Sequence, residues 1–250
     1  MKQKSRTEYS VMNTTVAFLA QTLAIFMGFF TRVVFTRTLS EGYVGINGLF
    51  TDILNILSLS ELGVGTAITY ALYTPIARRD IKKQQILMRM FRNFYRITAG
   101  FVLLAGLCLI PFLDILMKDR PDVNHLIIIY LLYLLNSVVS YLLIYKKTLV
   151  DAHQMNYITV MYHNGFLVLQ DILQIMVLFL TRNFILFLVI AVVCTIIGNI
   201  CMSRKADRLF PYLKEPCKEQ LPQEERHDIL RNVKAMLMHK IGNVVVNNTD

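Results

Sequence analysis

The chain has 250 residues, of which 55% are hydrophobic and only 17% charged, and its mean hydropathy is +0.48. That is too apolar for an ordinary soluble domain and points to the membrane class. The net charge of +9 and pI near 9.4 are accounted for by basic loops beside membrane spans, so no nucleic-acid partner is expected.

An all-α polytopic bundle is predicted, with six complete spans and the start of a seventh, because runs of roughly 20 apolar residues each suffice to cross about 30 Å of hydrocarbon. The first span covers residues 10–35. Lys2, Lys4 and Arg6 precede it like the basic start of a signal peptide, but the apolar stretch is too long and lacks a cleavage site, so it reads as a retained helix. The second covers 48–75 and is interrupted by Glu61. The third covers 94–117, the fourth 126–146, the fifth 157–181 with Asp171 inside it, and the sixth 183–203. Residues 1–202 thus form one transmembrane lobe. Residues 203–233 carry Pro211, Pro216 and Pro222 among charges and read as a linker on the membrane surface. Residues 234–250 turn apolar and helical again but stop short of a span, so the sequence is expected to be a fragment.

Orientation follows from Lys and Arg, which are retained on the cytoplasmic side. With the N-terminus inside, twenty such residues fall in inner loops and four, Arg37, Lys118, Arg120 and Arg182, in outer ones. The outer connections are too short to hold an enzymatic domain. Cys108, Cys194 and Cys201 lie within spans and Cys217 in a loop, which suits packing and neither a disulfide framework nor a metal cluster. No cofactor or metal is expected, and no enzymatic activity.

Residues three, four, seven or eleven apart share a helical face. On that basis the second span presents Asn47, Thr51, Asn55, Glu61 and Thr69 together, and the fifth presents Thr159, His163, Gln170, Asp171 and Gln174. The fourth groups Tyr133, Asn136, Ser140 and Tyr141. The first offers Gln21, Gly28 and Arg32, and the truncated seventh Lys240, Asn243, Asn247 and Asp250. The third and sixth spans look apolar all round and free to face lipid. The expected bundle therefore surrounds a polar cavity with helices one, two, four and five.

Such stripes also serve simply to join helices. Glu61 and Asp171 differ, since a mid-membrane acid costs several kcal/mol unless paired, protonated or hydrated, which makes both candidates for transport or coupling. Arg32 can snorkel to headgroups or meet a substrate phosphate. Arg89, Arg92 and Arg96 share a face that suits a pyrophosphate, although inner-end basic residues are expected anyway. His163 suits a packing hydrogen bond or a proton relay.

The run from Arg37 to Phe50, RTLSEGYVGINGLF, followed by Leu57-Ser-Leu-Ser-Glu-Leu-Gly-Val-Gly65, resembles the opening of Wzx-type polysaccharide flippases. These belong to the multidrug/oligosaccharidyl-lipid/polysaccharide exporter superfamily, the MATE-like transporters. Ser40 stands where the family usually has glycine. Leu149-Val-Asp-Ala-His-Gln-Met-Asn-Tyr-Ile158 and Asn247-Asn-Thr-Asp250 extend the resemblance along the chain. It implies two pseudo-symmetric lobes of about 12 to 14 helices in all, rocking around a central cavity, with this chain as the first lobe. It also implies an undecaprenyl-pyrophosphate-linked oligosaccharide as cargo, contact with membrane lipids and polysaccharide biosynthesis proteins, and a coupling cation, H+ or Na+. Arg37, at the head of the first motif, joins the candidate substrate residues on this ground. A multidrug or small-solute antiporter of the same architecture, and a non-transporting scaffold of a polysaccharide assembly complex, are the competing expectations.

Overall fold

The computed structural model describes residues 6–58, 64–117, 123–215, 221–223, 225, 227–229, 231, 235 and 238. Regular structure among them is entirely helical. Five segments are long and apolar enough to cross a membrane: Thr7–Thr38, Ile81–Phe112, Leu126–Ala152, Asn156–Thr181 and Phe184–Leu209. The protein is thus a helical membrane-type bundle.

Helix α1 (Arg6–Thr38) packs along α8 (Asn156–Thr181) over most of its length. Asn13 of α1 fastens the lower end of this pair. Its side-chain amide donates to the Gln154 carbonyl at 2.9 Å, and its Oδ1 accepts from the Tyr157 N–H at 2.8 Å. One side chain from α1 therefore satisfies an N–H in the first turn of α8, a group that has no partner within its own helix. Away from α8, α1 leaves Phe18, Leu19, Ile25, Phe26 and Phe29 exposed. Only 11% of its most apolar window is buried, and a surface of that kind needs lipid or another protein to cover it.

The second expected span is described as α2 (Glu41–Ser58) and α3 (Val64–Ala77), neither of which by itself meets the length and hydropathy of a crossing helix. Glu61 lies outside the described residues. Arg79, in left-handed backbone at φ 56°, turns the chain, and Asp80 caps α4 (Ile81–Leu109) by accepting from the Lys83 N–H at 2.9 Å. This cap starts α4 at Ile81, well before the apolar run at Ile97, so Lys82, Lys83, Arg89, Arg92 and Arg96 are all helical. Pro111 ends it through a 3-10 turn, followed by the short α5 (Leu113–Leu116).

The fourth apolar segment is broken. Helix α6 (Leu126–Tyr141) stops at Leu142, Leu143 takes left-handed backbone at φ 70°, and α7 (Ile144–Ala152) begins again. A left-handed leucine is strained, which requires the surroundings to hold it. The Val139 carbonyl at the break accepts both the Leu142 N–H at 3.1 Å and the Asn199 side-chain amide at 2.9 Å. Just below the break, Lys146 donates to Ser203 and Asp207, both at 2.8 Å. Asn199, Ser203 and Asp207 all lie on α9 (Phe184–Leu209), so one face of α9 holds the interrupted strip of chain.

The third and sixth spans, here α4 and α9, do not face lipid all round. Helix α9 packs on both α6 and α8, and α4 on α3 and α6. A helix apolar on every side is suited to the centre of a bundle as well as to lipid. The sixth span also carries Thr195 and Asn199, whose side chains bond across to α6, Thr195 by donating to Asn136 at 2.9 Å.

At the end opposite Asn13, aromatic rings close the bundle. Phe35 of α1 lies 5.5 Å from Phe184 and 5.3 Å from Phe187, and Tyr43 of α2 lies 5.2 Å from Phe184. Phe50 stacks edge-on to Tyr130 at 5.2 Å, and the Tyr133 hydroxyl bonds Asn47, joining α2 to α6. Such pairs contribute roughly 0.5–1.5 kcal/mol each beyond the area they bury.

Candidate functional site

The break between α6 and α7 lies between two cavities. The first, about 240 Å³, lies among α6, α7, α8 and α9 and is lined by Ser140, Lys147, His163, Gln170, Thr195 and Asn199 with apolar neighbours. Lys147 and His163 also line a groove of about 490 Å³ between α1 and α8, where Gln21 and Asn164 join them. A polar strip therefore runs from the α1–α8 groove to the break, with Lys147 and His163 common to both hollows. Thr159 fixes its lower edge by donating to Asp151 at 2.6 Å.

Chemically this strip offers one ammonium, one imidazole, the four amides of Gln21, Asn164, Gln170 and Asn199, and hydroxyls including Ser140 and Thr195, between apolar walls. Ammonium and amide N–H groups suit phosphate or carboxylate oxygens, and the amides and hydroxyls suit sugar hydroxyls. Among the described residues no group of His, Cys, Asp and Glu has the arrangement of a metal site.

The second cavity, about 440 Å³, lies on the other side of the break between α4, α6, α7 and α9. Arg92, Arg96, Tyr95 and Tyr145 line it with Val139, Leu142, Ile196 and Ile200. The Arg92 Nε is buried and has no hydrogen-bond partner among the described residues.

The structure separates the sequence-predicted residues into several groups. His163 and Gln170 line the strip, whereas Arg92 and Arg96 line the cavity across the break, and Arg89 is exposed on α4 outside that lining. Asp171 is half-buried and accepts from the Thr31 hydroxyl at 3.0 Å, which makes it a link between α8 and α1. Gln174 is buried and donates to the Phe187 carbonyl at 3.0 Å, so it joins α8 to α9 and lines neither hollow. Arg32 and Arg37 are exposed near the aromatic end, and Asn55 is exposed on α2. Glu61, Lys240, Asn247 and Asp250 lie outside the described residues. Among the described residues, α1, α6, α7, α8 and α9 line these hollows and α2 lines neither, while Asn47 of α2 is held by Tyr133 near the aromatic end.

Sequence reasoning counted Lys147 only as an inner-loop charge and passed over Thr195 and Asn199. The i,i+4 spacing of Thr195 and Asn199 in an otherwise apolar span was the signal for a shared face.

Below the strip, a second polar corner ties the helix ends together. His153 packs at a tilt against Phe210 with ring centres 4.4 Å apart, its Nδ1 2.9 Å from the Leu149 carbonyl, and burial pushes its pKa below the ordinary value. The Tyr212 hydroxyl donates to Gln84 at 2.6 Å, and Gln85 donates to the Tyr212 carbonyl at 2.6 Å; burial raises the Tyr212 pKa to about 12. No protein-family model matches the chain, and no curated protein or solved structure is significantly similar to it.

Proposed function

We propose that the chain is the first, six-span lobe of a flippase in the cytoplasmic membrane, with its N-terminus inside, that moves undecaprenyl-pyrophosphate-linked oligosaccharide outward for cell-surface polysaccharide assembly. The observation that carries this reading is the polar strip of Lys147, His163 and Gln170 beside a broken helix, inside a bundle otherwise built for lipid. Irregular backbone at membrane depth is tolerated where it lines a cavity, and discontinuous helices mark binding sites in transporters. The four sequence patches that resemble Wzx-type flippases support the same reading.

In this reading Lys147 meets a phosphate as a point charge, while His163, Gln170 and Ser140 exchange water for sugar hydroxyls. The polyprenyl tail stays in lipid along the groove beside α1. The uncovered apolar face of α1 meets the second lobe or lipid. In this reading Asp171, bonded to Thr31 across the α1–α8 seam, couples a cation to movement of that pair. No enzymatic step is assigned.

The test uses the full-length protein in proteoliposomes with a fluorescent polyprenyl-pyrophosphate oligosaccharide and a membrane-impermeant quencher. Lys147→Ala combined with His163→Ala should slow flipping by about tenfold or more, the equivalent of at least one charge-assisted hydrogen bond, with insertion unchanged. Undiminished flipping in that variant would remove the strip from the mechanism. Gradient-driven movement of a small solute, with no flipping by the wild type, would favour the antiporter reading instead.

A further inference from the structure

The cavity on the α4 side of the break meets the strip only at Leu143 and Asn199, which line both, and its chemistry differs. Its walls are chiefly aliphatic and aromatic, and its fixed charges are Arg92 and Arg96, one helical turn apart. The first turn of α7 begins in its lining at Leu143 and Tyr145. The leading N–H groups of a helix lack partners within it and present partial positive charge. Arg92 adds a buried Nε with no hydrogen-bond partner among the described residues. A positive, incompletely satisfied corner thus lies at one end of an apolar notch between membrane-type helices.

The size, about 440 Å³, falls within the range of roughly 300–1,000 Å³ common to small-ligand sites. A soluble anion would satisfy the arginines but leave the apolar walls uncovered, and a neutral lipid would do the reverse. An anionic phospholipid does both, and basic pockets between membrane helices are general sites for acidic headgroups.

We propose that this notch binds an anionic membrane phospholipid, with its phosphate at Arg92, Arg96 and the first turn of α7 and an acyl chain along Val139, Leu142, Ile196 and Ile200. The bound lipid braces the break from the side opposite the polar strip. The inference rests on membrane placement of the bundle and not on the cargo assigned above.

The test compares the purified full chain with an Arg92→Gln/Arg96→Gln variant and with a charge-matched control, Arg204→Gln/Arg208→Gln, whose residues lie on α9 outside the notch. Each is delipidated and titrated separately with phosphatidylglycerol, phosphatidylcholine, inorganic phosphate and undecaprenyl pyrophosphate, with bound lipid counted by native mass spectrometry. The wild type and the control should retain phosphatidylglycerol, and the notch variant should bind it about tenfold or more weakly, as expected from loss of two near-surface cations. Phosphatidylcholine should bind all three alike, and phosphate alone should not compete. In parallel, a photoactivatable phosphatidylglycerol on the wild type should crosslink to peptides from α4, α6–α7 and α9, which requires no variant to fold. Equal phosphatidylglycerol binding by notch variant and control, or crosslinks confined to α1 and α8, would overturn the proposal. Arginine-dependent binding of undecaprenyl pyrophosphate without that of phosphatidylglycerol would overturn it in favour of a cargo site.

Discussion

The attachment of the short α7 to α9 predicts a sizeable and reversible stability loss when Lys146 is neutralised. Its ammonium donates to Asp207 and Ser203 at 2.8 Å each, and its side chain is 14% exposed against 20% for Asp207. Lys146→Met keeps the aliphatic stem but leaves the Asp207 carboxylate largely desolvated without its cation. Breaking a fully buried pair in this way costs about 3–5 kcal/mol, and the residual exposure of both groups lowers the expectation to about 2 kcal/mol. At this chain length each kcal/mol lowers Tm by about 2–4 °C, so a fall of about 4–8 °C is expected. Helical circular dichroism of the purified protein in detergent during heating measures it. Adding Asp207→Asn to Lys146→Met removes the stranded charge and should recover most of the loss. An unchanged Tm in Lys146→Met, or no recovery in the double variant, would refute the role given to this contact.

His153 is held neutral by burial against Phe210, with its pKa below the unfolded value of about 6.5. The unfolded chain therefore binds the proton more readily, so this stability is fully present above the unfolded pKa and declines as pH falls below it toward the folded pKa. Tm should drop more between pH 7.5 and 5.5 in the wild type than in His153→Phe, and parallel pH curves would contradict this. At Gly106 a methyl group would overlap Leu134, while the Tyr130 hydroxyl holds the Gly106 carbonyl at 2.7 Å. Gly106→Ala should therefore cost about 1–3 kcal/mol, with partial relief from Leu134→Ala in the same chain; a neutral Gly106→Ala would show that α4 and α6 can separate freely. Reporter fusions after Arg79 and Lys205 should be cytoplasmic and one after Asp119 external, an order that an external reporter at Arg79 would reverse.

The sequence by itself determined the membrane class and five of the apolar segments, because hydrocarbon demands long uninterrupted apolar runs whatever the partners. It also marked a short connection at Arg182, although Asn183, read as the start of the sixth span, stands outside α9 and caps it by accepting from the Ile185 and Leu186 N–H groups. His163 and Gln170 were legible as parts of a polar stripe, since helical period alone places them on one face. Only the tertiary structure decided which stripes line hollows and which join helices. Gln174 shares its stripe with Gln170, yet it reaches the Phe187 carbonyl of α9, a group more than three helical turns distant in sequence. The break at Leu142 and Leu143 has no glycine or proline to announce it, because its support comes from Asn199, Ser203 and Asp207 on a helix far along the chain. Lys147 likewise reads as a loop charge until α1 and α8 pack together and leave a groove beside it. Periodicity reports the face of one helix, whereas a cavity exists only where several faces fail to meet, and that is settled by packing across the whole bundle.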